Sequence, residues 1–108
     1  FSRMPAQPGA AGDYVDYAAS KAAIDTLTVG LAREVGGEGI RVNGGRPGGI
    51  PTESQATSGG PARAERIGAA APLQRAGEPE EVARTILWLA SGEASYITGA
   101  LLDVSGGR

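Results

Sequence analysis

The sequence predicts an α/β fold, in the order helix, strand, helix, strand, and three observations carry that expectation. Apolar and small residues recur at helical spacing over residues 14–35. A second such run opens on Glu78-Pro79-Glu80-Glu81. After each helix comes a short strand-like segment, Ile40-Arg41-Val42-Asn43 and Ala100-Leu101-Leu102-Asp103-Val104.

Residues 1–13 hold two prolines and two glycines without periodicity and read as a loop. In the helix that follows, Ser20, Ile24, Leu27, Leu31 and Val35 fall on one stripe, flanked by Ala18, Ala19, Ala22 and Ala23, and Gly36-Gly37 closes it as a C-cap. Ile40 to Asn43 alternates apolar and polar, the period of a strand, while Gly44-Gly45-Arg46-Pro47-Gly48-Gly49 argues against regular structure. Small polar residues at 50–60 suggest an excursion, either a lid or a plain connection, before a short helix over 61–71 that Pro72 closes. In the second long helix, proline in the first turn and carboxylates at the positive end of the dipole favour initiation. Val82, Ala83, Ile86, Leu87, Leu89 and Ala90 point inward, and Trp88 reads as a core or interface aromatic. Ala100 to Val104 reads as a buried strand. No repeat or linker divides the chain, so residues 1–108 read as one piece of one domain.

Composition narrows the function. Ten basic against twelve acidic residues give a net charge of −2, with no basic run interleaved with aromatics, so nucleic acid is not an expected partner. The 108 residues contain neither cysteine nor histidine. Disulfides, thiolate chemistry, Ser-His dyads and ordinary zinc sites are thereby excluded, and proton transfer near neutrality falls to Tyr, Lys or a carboxylate. The absence of a long apolar run or a signal-like N-terminus points away from membranes and toward the cytoplasm.

Tyr17 and Lys21, four residues apart, would share one helical face. A cation beside a phenol favours the phenolate, which makes such a pair a candidate general acid/base. The same spacing also occurs on ordinary solvated helix faces, so the pair alone does not decide.

Tyr17-Ala18-Ala19-Ser20-Lys21, the run Glu38 to Asn43 leading into Pro47-Gly48, the Glu80-Glu81-Val82-Ala83 helix start, Ala94-Ser95-Tyr96-Ile97-Thr98-Gly99 and Asp103-Val104-Ser105-Gly106-Gly107 together resemble the short-chain dehydrogenase/reductase family, in order and in spacing. The resemblance implies the C-terminal part of a doubly wound parallel-sheet, Rossmann-type dinucleotide-binding domain. It implies hydride transfer between NAD or NADP and a small alcohol or carbonyl substrate, in a homo-oligomer. By this likeness Tyr17 exchanges a proton with the substrate oxygen, and Lys21 holds the nicotinamide ribose. Pro47, Gly48, Ile50 and Thr52 match the segment that meets the nicotinamide carboxamide.

The departures are equally legible. No glycine-rich pyrophosphate turn precedes Tyr17, so the chain reads as less than half of a complete enzyme, inactive by itself. The family's hydroxyl donor falls at Ser2 or at no residue, because aligning Gly9 and Gly12 puts Arg3 in its place. A non-catalytic remnant that serves as an assembly module is the competing reading. NAD and NADP are not distinguished.

Overall fold

The structure, a computed structural model, describes residues 15–50, 65–66 and 68–108. Helix α1 spans Val15–Val35, with Asp16 in its first turn and Arg33 in its last, each complementing the helix dipole. Its inward face differs from the expected stripe. Thr28 and Ala32 are buried, whereas Leu27 is 60% exposed and Ile24 and Leu31 are also exposed. The small face wins because it meets glycine: a Cβ on Gly44 would lie 3.6 Å from Thr28, and one on Gly99 would lie 3.5 Å from the Ala32 Cβ. Beyond α1 a 3-10 turn covers Gly36–Glu38. The left-handed residue that ends it is Gly39, at φ +76°, rather than Gly36 or Gly37, and its N–H donates to the Gly36 carbonyl at 3.1 Å.

Strand β1 is Gly44–Pro47 and strand β2 is Leu101–Val104. They pair in parallel, Gly44 with Leu101 through Pro47 with Val104. The first strand thus lies within the glycine-rich segment and not at Ile40 to Asn43. A parallel ladder needs only backbone groups, and glycine leaves room here for Leu101, whose Cδ2 would stand 2.8 Å from a Cβ at Gly44. Residues 41–43 are anchored by side chains. The Arg41 guanidinium donates to the carbonyls of Leu89 at 2.7 Å, Ser91 at 3.1 Å and Ile97 at 3.3 Å. Asn43 donates to the Ile97 carbonyl at 2.9 Å and accepts from the Ala100 N–H at 3.0 Å. The Gly99 N–H reaches the Val42 carbonyl at 2.7 Å.

Of the short helix expected over 61–71, residues 65–66 and 68–69 are helical, and a turn follows in which the Ala71 N–H donates to the Gly68 carbonyl at 3.1 Å. Residues 61–64 and 67 lie outside the described residues. Helix α2, Pro79–Ala90, begins where its proline and carboxylates predict. The Glu81 carboxylate accepts from the Glu78 N–H at 2.9 Å. Of its expected inward residues Leu89 is buried, but Leu87 is 70% exposed and Trp88 is exposed as well, so the tryptophan is no core residue. Strand β2 is only half-covered, with Leu101 and Val104 intermediate and Leu102 and Asp103 exposed. Among the described residues no large side chain is fully buried, the core being Thr28, Ala32, Ala71, Leu89 and Ala94. A parallel sheet ordinarily has both faces covered, which accounts for the gap between the buried strand expected and the half-covered one observed. No described helix is long and apolar enough to cross a membrane.

Candidate active site

Three contacts fix the direction of α1 against the sheet: Ala32 lies by Gly99, Thr28 by Gly44, and Asp25 by Arg46 at 3.8 Å. Moving back along the helix therefore means moving forward along β1. At ~1.5 Å per residue, Lys21 stands ~6 Å and Tyr17 ~12 Å past Asp25, toward the carboxyl end of the strands. Ligands of open α/β sheets bind at that end.

On this stretch the Lys21 ammonium sits over the Tyr17 ring, 5.4 Å from its centroid. Tyr17 is 40% exposed and Lys21 is half-buried. The Ser20 hydroxyl donates to the Tyr17 carbonyl at 2.7 Å, tying the first turns of the helix together. The pair offers a phenol able to give or take a proton and a cation with three donors beside it.

Pro47, Gly48 and Ile50 leave the same end of β1. The Gly48 N–H donates to the Val104 carbonyl at 3.0 Å, and a Cβ there would fall 2.7 Å from the Ser105 Cα, so only glycine allows the two strand ends to run this close. The Gly49 carbonyl accepts from the Gly77 N–H at 3.2 Å. Beside them opens a cavity of about 310 Å³, lined by Ile50, Gly77, Val104, Ser105 and Gly106 among others. Tyr17 and Lys21, on α1, do not line it. Ser2 and Thr52, the remaining expected site residues, lie outside the described residues.

Two charge clusters surround this end. Arg46 lies between Asp25, at 3.8 Å, and Asp103, at 3.3 Å, linking α1, β1 and β2. Arg75 forks onto Glu81, with Nη2 to Oε1 at 2.6 Å and Nη1 to Oε2 at 2.8 Å. The hydrogen bond from Arg75, with a further one from the Glu78 N–H, holds the Glu81 carboxyl down to about 2, and the same contact raises Arg75. Among the described residues no group of three His, Cys, Asp or Glu side chains could hold a metal ion. Sequence reasoning found the Glu78 to Glu81 helix start but not Arg75, whose partner Glu81 lies six residues on across the turn, nor Gly77, whose partners Gly49 and Ile50 are distant in sequence.

Comparison with known proteins gives a consistent picture. The family model described as Enoyl-(Acyl carrier protein) reductase matches residues 4–108. An uncharacterized oxidoreductase, YgfF, of Escherichia coli (strain K12) is 53% identical over 107 residues, 99% of this chain and 43% of the relative. The 3-oxoacyl-[acyl-carrier-protein] reductase FabG of Thermotoga maritima is 45% identical over 93 residues, 85% of this chain and 37% of the relative. Among solved structures, a 3-oxoacyl-[acyl-carrier protein] reductase from Brucella melitensis superposes with a TM-score of 0.77 at 44% identity, covering 84% of this chain and 34% of that one. The chain thus spans well under half the length of the proteins it matches.

Proposed function

This chain belongs to the short-chain dehydrogenase/reductase family, and from that premise we propose that it is the C-terminal portion of a single Rossmann-type domain that interconverts an alcohol and a carbonyl compound with NAD or NADP. What supports this reading is the convergence of the Tyr17–Lys21 pair and the Pro47–Ile50 segment at the carboxyl end of one parallel sheet. The reductase names of the relatives favour a ketone/alcohol pair as substrate class.

When bound, the nicotinamide supplies or accepts the hydride. In the reducing direction Tyr17 Oη gives its proton to the carbonyl oxygen as that oxygen gains charge, and in the oxidising direction it takes the proton back. The Lys21 ammonium, which sits over the Tyr17 ring, donates to ribose hydroxyls. Glycines 48 and 49 suit an amide-bearing ring, because backbone without Cβ atoms approaches a flat group closely. The Ile50 backbone is the next available after Gly48 and Gly49 spend a donor and an acceptor on Val104 and Gly77. Ser2 would supply a hydroxyl to the reacting oxygen and Thr52 a contact to the carboxamide. A cytoplasmic homo-oligomer completes the proposal.

A second reading, an assembly module without catalysis, is favoured by the exposed Leu27, Leu87 and Trp88. One experiment separates the two. In the complete gene product containing these residues, Tyr17→Phe lowers turnover by roughly 10²–10⁴-fold while cofactor affinity is retained. Near wild-type turnover in the phenylalanine variant, or no cofactor binding by the wild type, sinks the catalytic reading.

A further inference from the structure

We infer that Gly77, clasped by the Arg75–Glu81 ion pair, is the positioning residue that sets Ile50 and thereby the affinity of this site for the nicotinamide end of its cofactor; the inference rests on the reading proposed above. The turn around Gly77 is closed on both sides. The Arg75 fork reaches Glu81 at 2.6 and 2.8 Å, its Nη1 also donates to the Ala76 carbonyl at 3.1 Å, and the Glu78 N–H donates to Glu81 at 2.9 Å. Residues 75–81 are thus tied into one hook. That hook meets the other segment at two points. The Gly77 N–H donates to the Gly49 carbonyl at 3.2 Å, and a Cβ on Gly77 would lie 2.6 Å from Ile50 Cδ1.

The absence of a side chain at 77 therefore defines where Ile50 rests. A methyl group added there meets Ile50 Cδ1 first, at 2.6 Å against 3.8 Å for the nearest Glu81 oxygen, so the displacement falls on Ile50. Because Cδ1 is the far end of a side chain, the strain is of the size of an off-rotamer torsion, and it spreads into the 49–50 backbone through the Gly77–Gly49 hydrogen bond. The arrangement links the start of α2 to the carboxyl end of β1 across 27 residues of sequence, a separation too long for any periodic signal.

The test measures NADH and NADPH dissociation constants and cofactor KM on the complete gene product. Gly77→Ala raises the dissociation constant of the preferred cofactor about three- to tenfold, with a larger effect on cofactor KM than on kcat. Combining it with Ile50→Val, which deletes Cδ1, returns the constant to that of Ile50→Val alone. A Gly77→Ala constant within about twofold of wild type, or a double variant as impaired as Gly77→Ala, overturns the inference. Glu81→Gln, which unfastens the hook without adding volume, weakens cofactor binding about two- to fivefold, and an unchanged constant overturns the role of the ion pair. If these variants fail to respond while Tyr17→Phe still abolishes turnover, the Gly77 inference falls and the proposed function stands. A wild type that binds neither cofactor sinks both.

Discussion

Removing the Arg41 guanidinium should cost more stability than any surface substitution, because one side chain holds three elements together. Its two terminal nitrogens serve the carbonyls of Leu89 and Ser91, at the end of α2, and of Ile97, in the turn before β2. The last carbonyls of a helix have no intrahelical donors, and a cation there also complements the dipole. Hydrogen bonds involving a charged group contribute about 1.5–3 kcal/mol each, but three bonds from one planar group are not independent. For the half-buried Arg41, the expected loss in Arg41→Ala is therefore about 2–4 kcal/mol. Arg41→Lys should recover only part of it, since an ammonium is a point charge that cannot span three diverging acceptors. Equilibrium urea unfolding followed by circular dichroism measures both. A loss below about 0.5 kcal/mol for the alanine variant, or a lysine variant equal to wild type, would refute the idea that the fork fastens the two segments.

Other outcomes follow from close approach and charge. Gly48→Ala places a Cβ 2.7 Å from the Ser105 Cα, a backbone atom that no rotamer change can relieve, so it should destabilise by about 1–3 kcal/mol. By contrast Gly30→Ala, with nothing within 4 Å of its added Cβ on α1, should stabilise by about 0.4–1 kcal/mol, and chemical unfolding of the two variants reads the difference. Because folding lowers Glu81 from 4.5 to about 2, its contribution is complete above about pH 4.5 and disappears as pH falls toward 2; acid unfolding of Glu81→Gln should be less steep over that window. Residues 1–108 by themselves, which carry no glycine-rich pyrophosphate turn, should bind NADH and NADPH far more weakly than the complete gene product, and calorimetric titration giving micromolar dissociation constants for the isolated chain would contradict this.

The helices were legible because their signals are local. The carboxylates and proline of α2 lie within four residues, and the Tyr17–Lys21 spacing is itself the geometry that brings the ammonium over the ring. The strand β1 was not, because it opens on two glycines, with Leu101 and Thr28 close to Gly44, and a sequence pattern records side chains rather than the room left by their absence. The inward face of α1 differs from the expected stripe for a related reason: the small Thr28 and Ala32 sit against Gly44 and Gly99, while Leu27 and Leu31 stay exposed. Arg41 looked like the polar half of a strand alternation, since its three acceptors lie about fifty residues away.

The parallel pairing of β1 with β2 also governs when the site comes into being. Asn43 and Ala100, joined at the entrance to the sheet, are 57 residues apart in sequence. Closing a loop of that length costs about 3.6 kcal/mol in chain entropy beyond a constant, before any ladder hydrogen bond rewards it. The helices can form from near neighbours within microseconds, but the sheet has no hairpin from which to grow. The carboxyl end of the strands, where Gly48 meets Ser105, is thus a late product of folding. A nascent or partly unfolded chain in which α1 had formed would have no strand ends for Tyr17 and Lys21 to face, so the proposed site would be assembled only with the final long-range closure.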